Sequence, residues 1–175
     1  TIDIPMQSTH IKKKLHFYEY MLGTMPECFE YCKNNIFLFM IDSILRSIGM
    51  FFFISNPILG LSVIVAIGID TIWIMFCMII GVIFSNLFSF YLNIDKKSIQ
   101  EGLFGFNGVY IGLCSSTFYI YENLESLKLI PVIIILSLLN VILLLAFGQI
   151  LVNKWNVSTQ TLPGLVALSL WFLGC

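Results

Sequence analysis

Apolar residues fill this chain in long blocks, and polar residues collect in short stretches between them. Residues 36–54 form a first apolar segment, which Asn56-Pro57 interrupts, because the residue before a proline is pushed away from helical geometry. A short stretch, 58–69, follows, and 71–92 is long enough to cross a bilayer alone. The loop Asn93–Gln100 is polar. Residues 102–121 are rich in glycine, 129–152 make the most uniformly aliphatic span, and 162–175 begin another. No segment shows the strand alternation of a membrane barrel. The pattern predicts an all-α polytopic membrane protein.

Charge placement gives the same answer. Between Arg46 and Asp95 lie 48 residues with one charge, Asp70, and 102–121, 129–153 and 155–175 have none. A helix crossing ~30 Å of hydrocarbon needs roughly 20 mainly apolar residues, and several of these gaps match that length. Over all 175 residues, 58% are hydrophobic and 11% charged, against about 25% charged in a soluble domain. Such apolar content excludes intrinsic disorder. A net charge of −1 offers no basic stripe to a nucleic acid, so no nucleic-acid partner is expected.

Residues 1–35 are polar and read as a juxtamembrane segment, partly helical from Glu27, with no signal peptide. Lys12, Lys13 and Lys14 favour a cytosolic N-terminus. Trp73, Tyr91, Tyr121 and Trp155 fall near span ends, where amphipathic rings suit the interface. The chain lacks an initiating Met and stops at Cys175 inside an apolar run, so it is expected to be one part of a longer polypeptide.

Two segments depart from plain spans: Gly49–Pro57 and Gly102–Gly112. Broken helices are tolerated in a membrane only where they pack on protein or line a wet cavity, and both segments are expected to be broken. Gly102, Gly105, Gly108 and Gly112 surround Asn107. Glycine spacing alone favours small-residue helix packing, whereas the Asn107 amide calls for a partner, a water or a solute. Phe106 and Tyr110 are four apart and share a helical face. If that face lines a cavity, the two flat rings form a slot for a planar neutral solute.

Asp42 and Arg46 are also four apart, and pairing lowers the ~2.5–3.5 kcal/mol that each ion costs in a span. We read them as a structural pin rather than a pore-mouth pair. Asn86 and Asn140 read as interhelical hydrogen bonders. Cys28 and Cys32 share a helical face, but no histidine lies near to complete a metal site, so they read as ordinary thiols. His10 and His16 read as surface residues, and neither a phosphate loop nor an intramembrane nucleophile with a base is visible. No enzyme activity, cofactor or metal is expected.

Ile41-Asp42-Ser43-Ile44-Leu45-Arg46-Ser47-Ile48-Gly49, then Phe53 and Asn56-Pro57-Ile58-Leu59-Gly60-Leu61, resemble the opening of a urea transporter repeat. Gly102–Gly112 with Leu113 resembles that family's glycine-rich motif. Lys154-Trp155-Asn156 and Thr161-Leu162-Pro163 fall where the family has its Lys-Trp-Asp and Thr-Leu-Pro stretch. The motifs come in the family's order, and the resemblance covers roughly residues 35–175, leaving 36–175 as one transmembrane repeat.

The resemblance implies a facilitative, channel-like urea transporter of two inverted repeats, this chain being the N-terminal one. Each repeat has about five transmembrane helices plus a re-entrant half-helix. Three protomers form a homotrimer, each with its own pore, in the plasma membrane. Phe53 and Phe106 match the slot aromatics, Thr161 matches a filter threonine, and Asn107 matches the asparagine that braces the slot. Asp42, Arg46, Gly105 and Gly108 fall at structural positions near the pore. The departures are Met50, where a glutamine usually reaches the solute, and Tyr110, where an aliphatic residue usually walls the narrowest point. Ser158 and Gly164-Leu165 also differ from the family's proline and Phe-Asn. A thioether for an amide removes a hydrogen-bonding group worth ~1–2 kcal/mol on a dehydrating path. The alternatives are a pore for ammonia, short amides or water, and a non-transporting membrane scaffold.

Overall fold

A computed structural model describes residues 23–32, 34–121, 126–155 and 161–173. The chain forms helices α1 (Pro26–Cys32), α2 (Ile36–Gly49), α3 (Pro57–Asp70), α4 (Ile72–Tyr91), α5 (Lys96–Gln100), α6 (Gly105–Tyr121), α7 (Leu129–Trp155) and α8 (Leu162–Phe172). Short 3-10 turns fall at Met50–Phe52 and Ser126–Lys128. The described residues are all-α, as the apolar pattern predicts.

Helix starts follow local chemistry. The Asn35 side chain accepts from the Phe37 N–H at 3.0 Å, capping α2. Asn56 caps α3, accepting from Ile58 N at 2.8 Å and Leu59 N at 3.3 Å, and Pro57 takes the first turn, where its missing N–H costs nothing. Asp95 accepts from Ser98 N at 3.1 Å. That cap explains why the stretch expected to be a loop, Asn93–Gln100, contains the short helix α5.

Among the described residues, three stretches are long and apolar enough to cross a membrane: Ile72–Tyr91, Lys96–Ile120 and Leu129–Leu151. A fourth arises if Ile36–Phe52 and Pro57–Asp70, bent by 77°, count as one broken span. Leu162–Phe172 is apolar but shorter. The protein is thus an integral membrane helical bundle with one bent pair, while the expected count of about five spans is not reached among the described residues.

α4 lies at the centre, against α6 most extensively and also against α2, α3 and α7. Its contact with α6 depends on glycine: a Cβ at Gly81 would run into the Gly108 carbonyl, and one at Gly108 into the Gly81 carbonyl. Gly112 lies against Cys77 and Met78 in the same way, and Gly105 against Ser47 and Asn86. The glycine-rich segment is therefore a continuous helix from Gly105 onward, not the broken one expected. Its break is confined to the turn before it, where Gly102 has a φ of 89°, open to glycine at little cost.

One apolar cluster joins Cys77, Ile111, Leu129, Ile133, Leu136, Ala167 and Leu168 across α4, α6, α7 and α8. Asn86 on α4 donates to Ser43 Oγ at 3.0 Å and Ser47 Oγ at 3.3 Å on α2, the expected interhelical bond. Asn140 on α7 does not follow suit. It is fully buried, and neither amide atom has a hydrogen-bond partner among the described residues. Exposed apolar side chains such as Leu61, Val65 and Ile69 on α3 and Ile135, Ile142 and Ile150 on α7 face outward, the arrangement a lipid environment favours.

Candidate functional site

The site begins at the bend between α2 and α3. After Gly49 the chain tightens into the Met50–Phe52 turn, and Phe53 takes a left-handed conformation at φ 61°, ψ 22°. Its N–H donates to the Met50 carbonyl at 2.8 Å. A non-glycine residue there costs roughly 1–2 kcal/mol, and such strain persists only where the surroundings enforce it.

The strained backbone carries the Phe53 ring out of the helix, 69% exposed, while Phe106 on the first turn of α6 is only 7% exposed. Their ring centroids lie 6.5 Å apart with planes at 49°, within the 4.5–7 Å range of interacting aromatic pairs. The bend and the start of α6 thus bring together two rings 53 positions apart in the chain.

The other sequence-predicted residues distribute around this pair. Asn107 is fully buried, and a Cβ built on Gly164 would stand 3.0 Å from its Oδ1. The start of α8, which Thr161 introduces as N-cap without a side-chain capping bond, therefore rests on the residue after Phe106. Tyr110 does not join the ring pair. It packs against the cluster containing Cys77, Ile111 and Leu129, so the face expected to offer a Phe106–Tyr110 slot is divided between the pair and the interior. Met50 lines an open cavity of about 370 Å³, together with Phe29, Glu30, Arg46, Ser55 and Leu103. Ser158 lies outside the described residues.

Beside this cavity the bend is held by buried charge. Arg46 Nε donates to Asp42 Oδ2 at 2.9 Å, with the two side chains 1% and 3% exposed. The guanidinium also donates to the carbonyls of Thr24, Met25 and Ser55, and its Cζ lies 5.3 Å from the centre of the Phe29 ring, a cation–π contact. Gln100 Nε2 donates to Asp42 Oδ2 at 2.8 Å and to the Phe29 carbonyl at 2.9 Å. Asn56 adds a bond from Nδ2 to the Gly23 carbonyl at 2.7 Å. Breaking such a pair by removing one partner leaves an uncompensated charge. The ion pair expected from the spacing forms, and its bonds tie α1, α2, the bend and α5 to one point.

Cys28 and Cys32 come up against this hub. Burial first, then the charges of Asp42 and Cys28, push the Cys32 thiol up to about 11. It is therefore neutral near pH 7, and the ion pair seen with Arg46 is that of Asp42. Sequence reasoning missed Gln100, Phe29 and Ser55 as hub partners. No helical spacing links them to Arg46, and two of them contribute only through backbone carbonyls or a ring face.

The motif order seen in the sequence now has an independent counterpart. Residues 41–175 match the family model described as "Urea transporter". Over 153 residues the chain is 29% identical to "Urea transporter 1" of Mus musculus and 30% identical to that of Ovis aries, covering 87% of this chain in both cases. It spans 39% of the length of each of these relatives. The family match begins at Ile41, one residue before the buried aspartate, and runs through the bend, the ring pair and the start of α8. The chain belongs to the urea transporter family.

Proposed function

We propose that residues 36–175 form the N-terminal repeat of a facilitative urea channel, with 1–35 as its juxtamembrane segment. Members of the family move solute without catalysing a reaction, and the chain is not an enzyme. The observation that carries the proposal is the Phe53–Phe106 pair, 6.5 Å apart at a 77° helix bend, in a chain of this family. Urea is flat and uncharged, with four N–H donors and one carbonyl acceptor. Aromatic faces strip its water without demanding a counter-charge, and oxygens at helix ends accept its N–H groups.

In this reading Phe53 and Phe106 flank the solute path and Asn107 braces α8 against it. Thr161 supplies a hydroxyl, and Tyr110 walls the inner side. The α2–α3 bend and the turn before α6 are the discontinuities that such channels place near the midplane. Asp42, Arg46, Gly105 and Gly108 hold these elements in place. About five spans with a re-entrant half-helix, a second inverted repeat, a homotrimer with one pore per protomer, and residence in the plasma membrane complete the proposal.

One observation favours a second reading. Met50 lines a cavity that includes neither ring of the pair, and its thioether, where the family usually has an amide, weakens discrimination for a hydrogen-bonding solute and suits ammonia, short amides or water. A solute panel measured on the full chain in proteoliposomes decides between them. The proposal expects urea flux above that of protein-free vesicles and above flux of acetamide. Met50→Gln is expected to raise that preference several-fold, in line with ~1–2 kcal/mol per hydrogen bond. Acetamide or ammonia exceeding urea establishes the second reading, and no flux of any solute leaves a scaffold.

A further inference from the structure

The densest group of metal-ligating side chains among the described residues lies away from the ring pair, where α1 meets α2. Cys28 and Cys32 stand one turn apart on α1 with their Sγ atoms 4.0 Å apart. Cys28 Sγ lies 3.9 Å from Asp42 Oδ1, and the three ligand atoms all fall within 4.8 Å of one another. A tetrahedral zinc with Zn–S of about 2.3 Å and Zn–O of about 2.1 Å has S···S and S···O edges of about 3.8 and about 3.6 Å. The Cys28–Cys32 and Cys28–Asp42 edges exceed these by a few tenths of an ångström, and the Cys32–Asp42 edge, within 4.8 Å, closes by side-chain rotation of Cys32.

We propose that Cys28, Cys32 and Asp42 bind a thiophilic divalent cation of the Zn²⁺ class, linking α1 to α2. Asp42 is prepared for this role by its other oxygen. Oδ2 accepts from Arg46 Nε at 2.9 Å and Gln100 Nε2 at 2.8 Å, while Oδ1 faces the thiols. Outer-shell hydrogen bonds of this kind orient a ligating carboxylate. On binding, each thiol loses its proton to solvent and its sulfur forms a bond to the ion. Two thiolates and one carboxylate then balance the dication and the Arg46 guanidinium, leaving no net buried charge. Sulfur donors select Zn²⁺ or Cd²⁺ over Mg²⁺ and Ca²⁺. Three protein ligands leave the fourth position to water. Cys28 is half-buried, so the ion reaches the thiols from solvent, and its α1 neighbours Pro26, Phe29 and Glu30 line the cavity. Because those α1 residues share the cavity with Met50, the bound ion fixes one of its walls.

The test is titration of the purified, reduced full chain with Cd²⁺, followed by sulfur-to-metal charge-transfer absorption in the ultraviolet, with Zn²⁺ as competitor. One Cd²⁺ per chain is expected, displaced by Zn²⁺ and not by Mg²⁺. Cys28→Ser and Cys32→Ser should each weaken binding by more than about 100-fold, beyond the ~10–100-fold cost of losing an outer-shell group, which Gln100→Ala should show. Cys77→Ser, at a fully buried position on α4, should leave binding unchanged. Cys28→Ser is the diagnostic variant, since Ser is nearly isosteric and the site is half-buried, and its thermal unfolding without metal should match the parent. Absence of stoichiometric binding by the parent chain, or equal affinity in folded Cys28→Ser, overturns the proposal.

Discussion

The bend at Gly49–Pro57 and the glycine-rich segment at Gly102–Gly112 look alike in sequence and are built in opposite ways. The first is a true break: a 3-10 turn, a left-handed Phe53 and a capping Asn56 separate two helices that differ by 77°. Polar bonds hold it, through Arg46 to the Ser55 carbonyl at 2.9 Å and Asn56 to the Gly23 carbonyl at 2.7 Å. The second is almost entirely a regular helix whose glycines let α4 and α6 touch backbone to backbone. The α6 glycines thus serve close approach to α4, whereas the bend is set by a proline and a capping side chain.

Breaking the polar side of this comparison has the largest expected effect. Arg46→Met leaves Asp42 buried with, among the described residues, only Gln100 and the weakly donating Cys28 as partners. It should cost about 3–5 kcal/mol, read as a lower thermal unfolding temperature in detergent. A loss below ~1 kcal/mol would show that the bend does not depend on the hub.

Breaking the glycine side comes next, and its sign depends on position. Gly108→Ala drives a methyl into the Gly81 carbonyl and should destabilise by about 1–3 kcal/mol. At Gly148 on α7 a Cβ meets nothing within 4 Å, so Gly148→Ala should stabilise by up to about 1 kcal/mol. Equal effects at the two positions would remove close packing as the reason for the α6 glycines.

These expectations also show what the sequence conveys. Helix positions and the Asn56-Pro57 break were legible because charge gaps and proline chemistry act locally. The Asp42–Arg46 pair was legible because four residues is one helical turn. The packing of Tyr110 against the Cys77–Leu129 cluster was not legible, because helical spacing shows which residues share a face, not which neighbour that face meets. Gln100 and the approach of Asp42 to Cys28 and Cys32 were hidden, since both depend on α1 and α5 folding back onto α2. The proximity of Phe53 and Phe106 was likewise legible only through the family resemblance.

The smallest expected stability change sharpens the functional side of the comparison. Phe53→Gly relieves a left-handed strain of ~1–2 kcal/mol and loses a ring contact of ~0.5–1.5 kcal/mol. Stability should therefore move by less than about 1 kcal/mol while solute flux falls. A large destabilisation would mean that the ring serves the fold rather than the path.

The central claim, that two rings meeting at the α2–α3 bend form the passage for a small neutral solute, is tested most directly by urea flux into proteoliposomes. The comparison is between the full chain, Phe53→Ala, Phe106→Ala and the half-exposed control Phe76→Ala. Flux should fall at least about tenfold in the first two variants, equivalent to ~1.4 kcal/mol on the barrier, and stay within about twofold of the parent in the control. Parental urea flux in folded Phe53→Ala and Phe106→Ala would contradict it.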